Sequence, residues 1–322
     1  MNAGFHARRQ RLIRPLTSLG GLAGAVLVLV FAPTIHSDAH NCATTPSGLV
    51  GGWDGDSVSG TTAIDISPFD NDGILSGSVQ IVPGLVGNAF SFNGSFNTRV
   101  SGVFVDGFTG GNVPITLAAW FNQPAPPVGH PGQGILAVGN AGFKAHFFQR
   151  LSTGVGALNT TYVCLNGVVG PNRLCIGADD GADRWWPSNA VITNSAWHFI
   201  VNTYDPVTNQ VGIHVDGQLD HTVTVAGGLS LGTEFWIGGD AYNDNFFVGL
   251  IDEAQVYNRV LGASEIHAIF DAGSAGVCKL ATVCHKPGTP GERTMVLPAH
   301  AVPGHMGHGD TAGACSSSRP LR

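Results

Sequence analysis

The sequence has few charged residues. Asp, Glu, Lys and Arg make up 11% of its 322 residues, and acidic side chains outnumber basic ones by 22 to 15. Such a composition cannot form the strongly basic surface that nucleic acid or an anionic membrane would attract. Long apolar runs are also scarce, and the one that stands out lies close to the N-terminus. We therefore expect no nucleic-acid partner.

The N-terminal apolar run, Leu19–Ile35, has the surroundings of a signal peptide. Four arginines precede it, and the small residues Ser37 and Ala39 follow it. We predict cleavage after residue 39, with an uncleaved N-terminal anchor as the alternative. Residues 1–39 carry four Arg and one Asp, so cleavage would shift the formal charge from -7 to -10. The mature protein is predicted to be secreted, periplasmic or at the cell surface, with no membrane insertion after cleavage.

All six cysteines lie beyond this cleavage site. An even number in an oxidising compartment favours disulfides, and 15 connectivities are possible for six cysteines. We predict the pairs Cys164–Cys175 and Cys284–Cys315 from their proximity, and Cys42–Cys278 because Cys42 precedes the first predicted strand and Cys278 follows the last element. The last pair would join the two ends of one domain, and closing so long a loop is worth roughly 4 to 5 kcal/mol in the chain-entropy model.

Helical periodicity is missing from most of the mature chain, which alternates short apolar segments with Gly, Pro, Asn and Asp turns. This pattern predicts an all-β fold. Residues 116–122, 145–151, 160–165, 197–204 and 234–239 have the length and the aromatic or β-branched content of strands. Asp216-Gly217 predicts a hairpin turn. The predicted helix follows Leu261, with Gly262 as N-cap, Glu265 at its third position and Gly273 at its end.

An ordered set of motifs carries a resemblance to a known family. The motifs are GLVGGWDGD at 48–56, DISPFDNDG at 65–73, GLVGNAFSFNG at 84–94, ITLAAWFN at 115–122, AWHFIVNTYD at 196–205, IHVDGQL at 213–219, FWIGGDA at 235–241 and GLIDEAQVYNRVLGASEI at 249–266. In this order and spacing, the chain resembles the secreted bacterial laminin G-like, concanavalin A-like jelly-roll domains. The resemblance implies two antiparallel sheets packed face to face. It also implies rim loops that bind calcium in many members and glycans or protein partners in some.

A calcium site is predicted where the N-terminal loops would meet the last strand of the domain. Calcium takes six to eight oxygen ligands, and the oxygen-bearing candidates are Asp54, Asp56, Asp65, Asn71 and Asp252. Asp252 is in phase with Leu250, Ala254 and Val256, so a strand would place it on the core face, where a carboxylate needs a partner. The alternative is that backbone N–H groups satisfy it and that the other residues only form turns. Pro68 and the run Asp70-Asn71-Asp72 depart from the family pattern in this loop.

Ligand binding is predicted for aromatic residues in loop-like sequence contexts. Aromatic rings stack on the apolar faces of sugars, and neighbouring polar groups hydrogen-bond the hydroxyls. The candidates are Trp185, Trp186, Asp240, Tyr242 and Phe246. The alternative is that residues such as Trp186 and Phe247 cover the edge of the sandwich.

A catalytic site has no sequence signature here. Glycoside hydrolases need two carboxylates about 5 to 10 Å apart, but the chain has no E-x-D-x-x-E run, and the neighbours Asp252 and Glu253 would point to opposite faces of a regular strand. The chain also lacks G-x-S-x-G, H-E-x-x-H and P-loop motifs. We therefore expect no enzymatic activity.

The C-terminal tail changes to a Pro-, His- and Gly-rich composition that is too poor in apolar residues to form a core. It resembles a short Cys/His module at the ends of exported bacterial proteins. Four histidines and an aspartate lie between Cys284 and Cys315, namely His285, His300, His305, His308 and Asp310. The spacing of the last four, H-x4-H-x2-H-x-D, predicts a zinc or copper site. The opposing argument is that Pro and Gly flank these residues and that no helix presents them.

The expected organisation is a signal peptide at 1–39, a jelly roll at 40–278 and a Cys/His/Pro-rich module at 279–322. The expected function is non-catalytic recognition of glycans or of an extracellular protein, through rim loops ordered by calcium. The alternatives are a structural envelope protein and a carbohydrate-active enzyme with an unrecognised site.

Overall fold

The structure is a computed structural model, and it describes residues 42–124, 133–140, 144–151, 173–179, 183–193, 195–239, 246–298, 302–312 and 315. All of these residues belong to one unit of the chain, residues 40–322. The predicted boundaries at residues 39 and 278 stay predictions.

Two large antiparallel sheets form the sandwich. The first sheet contains β1 (Leu49–Trp53), β5 (Gln80–Pro83), β6 (Asn88–Asn93), β8 (Ile115–Asn122), β13 (Trp197–Asp205), β14 (Gln210–Val215), β15 (Gln218–Thr224) and β17 (Val248–Tyr257). The second contains β2 (Val58–Ser59), β3 (Thr62–Ala63), β4 (Gly73–Ser76), β7 (Arg99–Val103), β9 (Gln133–Asn140), β10 (Lys144–Leu151), β11 (Arg173–Asp179), β12 (Asp183–Val191) and β16 (Glu234–Ile237). The predicted all-β jelly-roll sandwich is confirmed.

The central core lies between the two sheets, where inward-facing residues of alternating strand positions meet. Phe121 and Ile200 come from the first sheet, and Val138 and Phe235 come from the second. Trp53 stacks on Phe235 with ring centroids 4.0 Å apart. The alternation of buried positions therefore joins the two sheets into one core.

A second apolar cluster covers the outer face of the first sheet. Helix α1 (Ala263–Ala272) packs there through Ile266 and Ile269. Phe270 stacks on Trp120 with ring centroids 5.6 Å apart. As the sequence predicts, Gly262 is the N-cap, and its N–H donates to the Glu265 carboxylate. The helix ends at Gly273, whose positive φ suits a residue without a side chain.

The structure contains the predicted hairpin turn and two of the three predicted disulfides. The Asp216-Gly217 turn joins β14 and β15, and both residues have positive φ, as a tight hairpin turn requires. The Cys42–Cys278 and Cys284–Cys315 disulfides are confirmed. Cys175 is disulfide-bonded, and its predicted partner Cys164 lies outside the described residues, as does the predicted strand at 160–165.

A small third sheet follows the sandwich. It contains β18 (Leu280–His285), β19 (Arg293–Pro298) and β20 (Thr311–Ala312), with the short helix α2 (Val302–Gly307) between the last two. Within the part of the chain that the structure describes, neither helix has the length and apolar character needed to cross a bilayer.

The Cys42–Cys278 bond closes a loop of 236 residues around the whole sandwich. Replacing both cysteines with alanine should lower the free energy of unfolding by roughly 2 to 5 kcal/mol, because the unfolded chain gains freedom. Urea denaturation of the two proteins measures the change. The matched control replaces Cys284 and Cys315, which close a shorter loop of 31 residues; we expect that change to leave the sandwich transition nearly unaltered. Equal midpoints for the wild type and the first variant would contradict the prediction.

Candidate functional site

An irregularity in β17 controls where its carboxylates lie. The pairing of β17 with β8 shifts between Asp252 and Gln255, and Glu253 has a φ of 48°. This is a β-bulge, in which two residues face one residue of the partner strand. Ile251 and Ala254 belong to the central core, whereas Tyr257 belongs to the cluster under α1. Ala254 and Val256 face the central core as predicted, but the bulge interrupts the alternation, so Leu250 and Asp252 do not share their face.

Asp252 is completely buried, and backbone N–H groups satisfy its carboxylate. Its Oδ2 accepts hydrogen bonds from the N–H groups of Leu85 and Val86 at 3.0 and 2.9 Å, and its Oδ1 accepts from Glu253 N–H at 2.9 Å. A Cβ at Gly84 would lie 2.6 Å from Asp252 Oδ2, so glycine lets the 84–87 turn close on the carboxylate. Burial raises the pKa of Asp252 to about 6, although the three N–H groups oppose this rise.

Glu253, the neighbour of Asp252 in β17, is also buried. Its Oε2 accepts a long hydrogen bond of 3.4 Å from Gln255 Nε2, and its Oε1 has no hydrogen-bond partner among the described residues. Burial, together with the charges of Asp252 and Asp54, raises the pKa of Glu253 to about 8. Glu253 therefore holds a proton at neutral pH.

Lys279 balances the acidic residues of the β1–β2 turn. Its Nζ lies 2.8 Å from Asp54 Oδ2 and 2.8 Å from Asp56 Oδ2. Burial disfavours the ammonium, but the two carboxylates outweigh this effect and raise the pKa of Lys279. Asp54 Oδ1 also accepts the N–H groups of Asp56 and Ser57. Asp54 is completely buried, so the ammonium provides the countercharge that its carboxylate requires.

Asp65 and Asn71 form a separate arrangement that holds the 65–73 loop. Asp65 accepts four hydrogen bonds, from Gly52, Asn71 and the N–H and hydroxyl of Ser67. The Asn71 side chain donates to Val50 and Asp106 carbonyls, and its Oδ1 accepts from two N–H groups. The structure thus brings Asp54, Asp56 and Asp252 into one charged neighbourhood but does not gather all five predicted calcium ligands.

The donor set around Asp54 does not fit calcium as it stands, because an ammonium already takes the place of a cation between two carboxylates. Calcium binding therefore stays a prediction without support from this arrangement.

A pocket of about 190 Å³ lies beside Lys279, lined by Thr45, Pro46, Ser47, Gly48, Leu49, Ile66, Pro68, Val277, Cys278 and Lys279. Neither Asp252 nor Glu253 lines it.

The aromatic residues predicted to bind ligand are less exposed than their sequence contexts indicate. Trp185 and Trp186 lie in β12, not in a loop, and Trp185 is 7% exposed with its ring edge-to-face against Phe148. Trp186 is half-buried against the central core. The polar run before them suggested a loop, but strand pairing with β11 buries these side chains. Asp240 and Tyr242 lie outside the described residues.

Phe246 is also buried, but it supports an exposed ring that the sequence analysis missed. Phe96, in the turn between β6 and β7, is 79% exposed, and its ring lies edge-to-face against Phe246 at 5.7 Å. Gly239 sits between Phe246 and Arg99, since a Cβ there would contact both side chains. Asp240 follows Gly239 directly in the chain. In the sequence, the exposed ring is indicated only by Phe96 itself, a single aromatic residue in an Asn-, Gly- and Ser-rich turn.

In the C-terminal module, the structure gathers a different set from the predicted one. His305 and Asp310 meet His285, a residue outside the predicted ligand set. His308 is exposed and belongs to neither cluster of candidate metal ligands among the described residues, and His300 lies outside those residues. Sequence spacing missed His285 because β-pairing, not local spacing, brings it to Asp310.

Comparisons with known proteins place this chain in a family. Residues 101–267 match the sequence model of a laminin G family described as the "Concanavalin A-like lectin/glucanases superfamily". This match covers more than half of the chain. The protein belongs to the concanavalin A-like lectin/glucanase superfamily. No curated protein matches it.

Several solved structures share the fold at low sequence identity. The binding domain of Paraclostridial Mosquitocidal Protein 1 aligns with a TM-score of 0.53 and 15% identity over 70% of this chain and 52% of that one. The binding domain of botulinum neurotoxin DC, in complex with SialylT, aligns with a TM-score of 0.51 and 12% identity over 70% and 51%. The Trypanosoma rangeli sialidase, in complex with the inhibitor DANA, aligns with a TM-score of 0.50 and 20% identity over 70% and 33%. This laminin G family member thus spans about half the length of the first two chains.

The protonated Glu253 predicts a specific pH dependence of stability. A folded-state pKa raised from 4.5 to about 8 means that the folded protein binds its proton more tightly than the unfolded chain does. This contribution is complete below about pH 4.5 and is lost as the pH rises through 8. Glu253→Gln keeps a neutral side chain at every pH. The melting temperature of the wild type should therefore fall relative to that of Glu253→Gln between pH 5 and 9, and parallel curves would refute the assignment.

Proposed function

We propose that this protein is a non-catalytic recognition module that binds glycans at the sandwich rim around Phe96 and Phe246. The observation that carries the proposal is the 79% exposed ring of Phe96, held against Phe246. A ring fixed in this way offers an apolar face to a sugar without first having to be ordered, which lowers the entropic cost of binding.

Polar residues on the same rim supply the hydrogen-bonding groups that sugar recognition needs. Asn97 has a φ of 63°, which places it in the left-handed region next to Phe96. The Asn93 side chain accepts the N–H of Ser95 and thereby fixes the turn. Arg99 begins β7 close to Gly239, where the predicted ligand residues Asp240 and Tyr242 follow in sequence. An aromatic platform with neighbouring Asn and Arg residues is suited to sugars.

The family and its structural relatives make glycans the first class to test. One relative of the same fold is a toxin binding domain in complex with SialylT, and another is a sialidase. A non-catalytic role is supported by the buried carboxylates. Asp252 and Glu253 have raised pKa values, but they hold a turn and a proton, and neither faces the pocket beside Lys279. The confirmed disulfides agree with an extracellular location.

The test of this function is a glycan array, including sialylated glycans, probed with the wild type and with Phe96→Ala. We expect hits for the wild type and a loss of up to roughly tenfold in affinity for the variant, since stacking on an aromatic ring is worth about 0.5 to 1.5 kcal/mol. The matched control is Val207→Ala, which removes another exposed apolar side chain from a turn of a different hairpin. It should bind like the wild type.

Three results would overturn the proposal. Equal binding by wild type and Phe96→Ala would show that the glycan does not bind at the rim around Phe96. The absence of hits would favour a protein partner or a structural envelope role. Turnover on a panel of polysaccharides would reveal an enzyme.

Calcium ordering is a separate part of the predicted function and has its own test. Lys279→Met should lower stability by about 1 to 3 kcal/mol, because it leaves the buried Asp54 carboxylate without its countercharge. If calcium can replace the ammonium, then calcium in place of chelator should raise the melting temperature of Lys279→Met more than that of the wild type. Identical melting temperatures with calcium and with chelator in both proteins would contradict the calcium prediction.

A further inference from the structure

We propose that His285, His305 and Asp310 form a zinc site in the C-terminal module. This site lies outside the rim, so it does not depend on the proposed glycan binding. His285 ends β18, His305 lies in α2, and Asp310 precedes β20. One ligand atom from each residue lies within 4.8 Å of the other two. The pairing of β18 with β20 and the position of α2 therefore bring residues up to 25 positions apart to one point.

The ligand atoms point at one another in a way that fits a shared ion. His285 Nδ1 lies 2.9 Å from Asp310 Oδ2, and His305 Nδ1 lies 2.6 Å from the same oxygen. Two imidazoles aimed at one carboxylate oxygen can either share it as hydrogen-bond donors or bind a cation between them. Zinc takes imidazole nitrogen and carboxylate oxygen at about 2.0 to 2.2 Å, so small movements of these side chains would place all three around one ion.

A backbone contact fixes the position of the carboxylate. Asp310 is buried, and its Oδ1 accepts the N–H of Lys286 at 3.0 Å, which leaves Oδ2 directed at the two imidazoles. A carboxylate oriented through its second oxygen is typical of metal sites, where such a contact fixes the ligand. The two imidazoles are partly exposed, which leaves a path for the ion and a fourth position for water.

The cysteines next to this cluster are not ligands. Cys284 and Cys315, together with Glu292, form the other group of potential ligands in the described residues, but the two sulfurs are bonded to each other. The disulfide instead fixes β18 one residue before His285. Such a small sheet has little apolar material to bury, and modules of this size usually need a cross-link or a metal to hold their shape. A zinc ion would be the second constraint beside the disulfide.

The test measures zinc binding to the disulfide-bonded full chain after removal of metals with chelator. Titration calorimetry with zinc chloride should give one ion per chain for the wild type. His285→Ala, His305→Ala and Asp310→Asn should each weaken binding at least about tenfold, because each removes one of three protein ligands. His300→Ala and His308→Ala are the controls, since they lie in the same segment but outside the cluster, and they should bind like the wild type.

Cobalt in place of zinc gives a second readout that needs no variant. The wild type should show the visible absorption of a four-coordinate ion with nitrogen and oxygen ligands and no thiolate charge-transfer band. Failure of the wild type to bind zinc would show that the three side chains are only hydrogen-bonded. A thiolate band would assign the ion to the cysteines, and loss of binding in His308→Ala with retention in His285→Ala would assign it to the other histidines. Each of these results overturns the proposed site.

Discussion

The buried carboxylate of Asp252 is the constraint on which one end of the sandwich depends. It reaches the N–H groups of the 84–87 turn only because the bulge at Glu253 interrupts the alternation of β17. The bulge also buries Glu253 beside it, and two adjacent buried carboxylates cannot both be charged at low cost. Glu253 therefore keeps its proton, while Asp252 and Asp54 depend on N–H groups and on the ammonium of Lys279. A local feature of one strand thus sets the charge states of the residues around it.

Strand β17 connects this charged neighbourhood to the proposed binding rim. Val248 at its start pairs with Asn93, at the end of β6 next to the Phe96 turn. Asp252 lies four residues further along, about 13 Å away at the usual rise of a strand. Tyr257 at its other end pairs with Leu49, close to the segment that Cys42 and Cys278 close. The rim and the closure of the domain therefore lie at the two ends of one strand, which pairs with β6 beside the Phe96 turn and with β1 beside the disulfide.

The sequence predicted the parts of this protein that local chemistry determines, and the misses share a physical cause. The Asp216-Gly217 turn, the caps of α1 and the Cys42–Cys278 pair depend on residue types at fixed positions, and the structure confirms them. The prediction that Asp252 shares the core face with Ala254 and Val256 was wrong, because a bulge leaves no mark in the period-2 pattern of a strand sequence. The burial of Trp185 depends on pairing with β11. Phe96 and His285 likewise acquire their roles from neighbours that are distant in sequence.

The C-terminal module joins the sandwich without a flexible linker. Cys278 is bonded to Cys42, Lys279 contacts Asp54 and Asp56, and β18 begins at the next residue, Leu280. The module is therefore anchored by a covalent bond and an ion pair at the point where its first strand starts. The disulfide at Cys284 constrains that strand again, one residue before His285. Beyond Lys279, β18 pairs with β19 and β20, and this pairing brings His285 beside Asp310. The sandwich therefore fixes the point where the module starts, whereas the small sheet itself positions the three residues of the proposed zinc site.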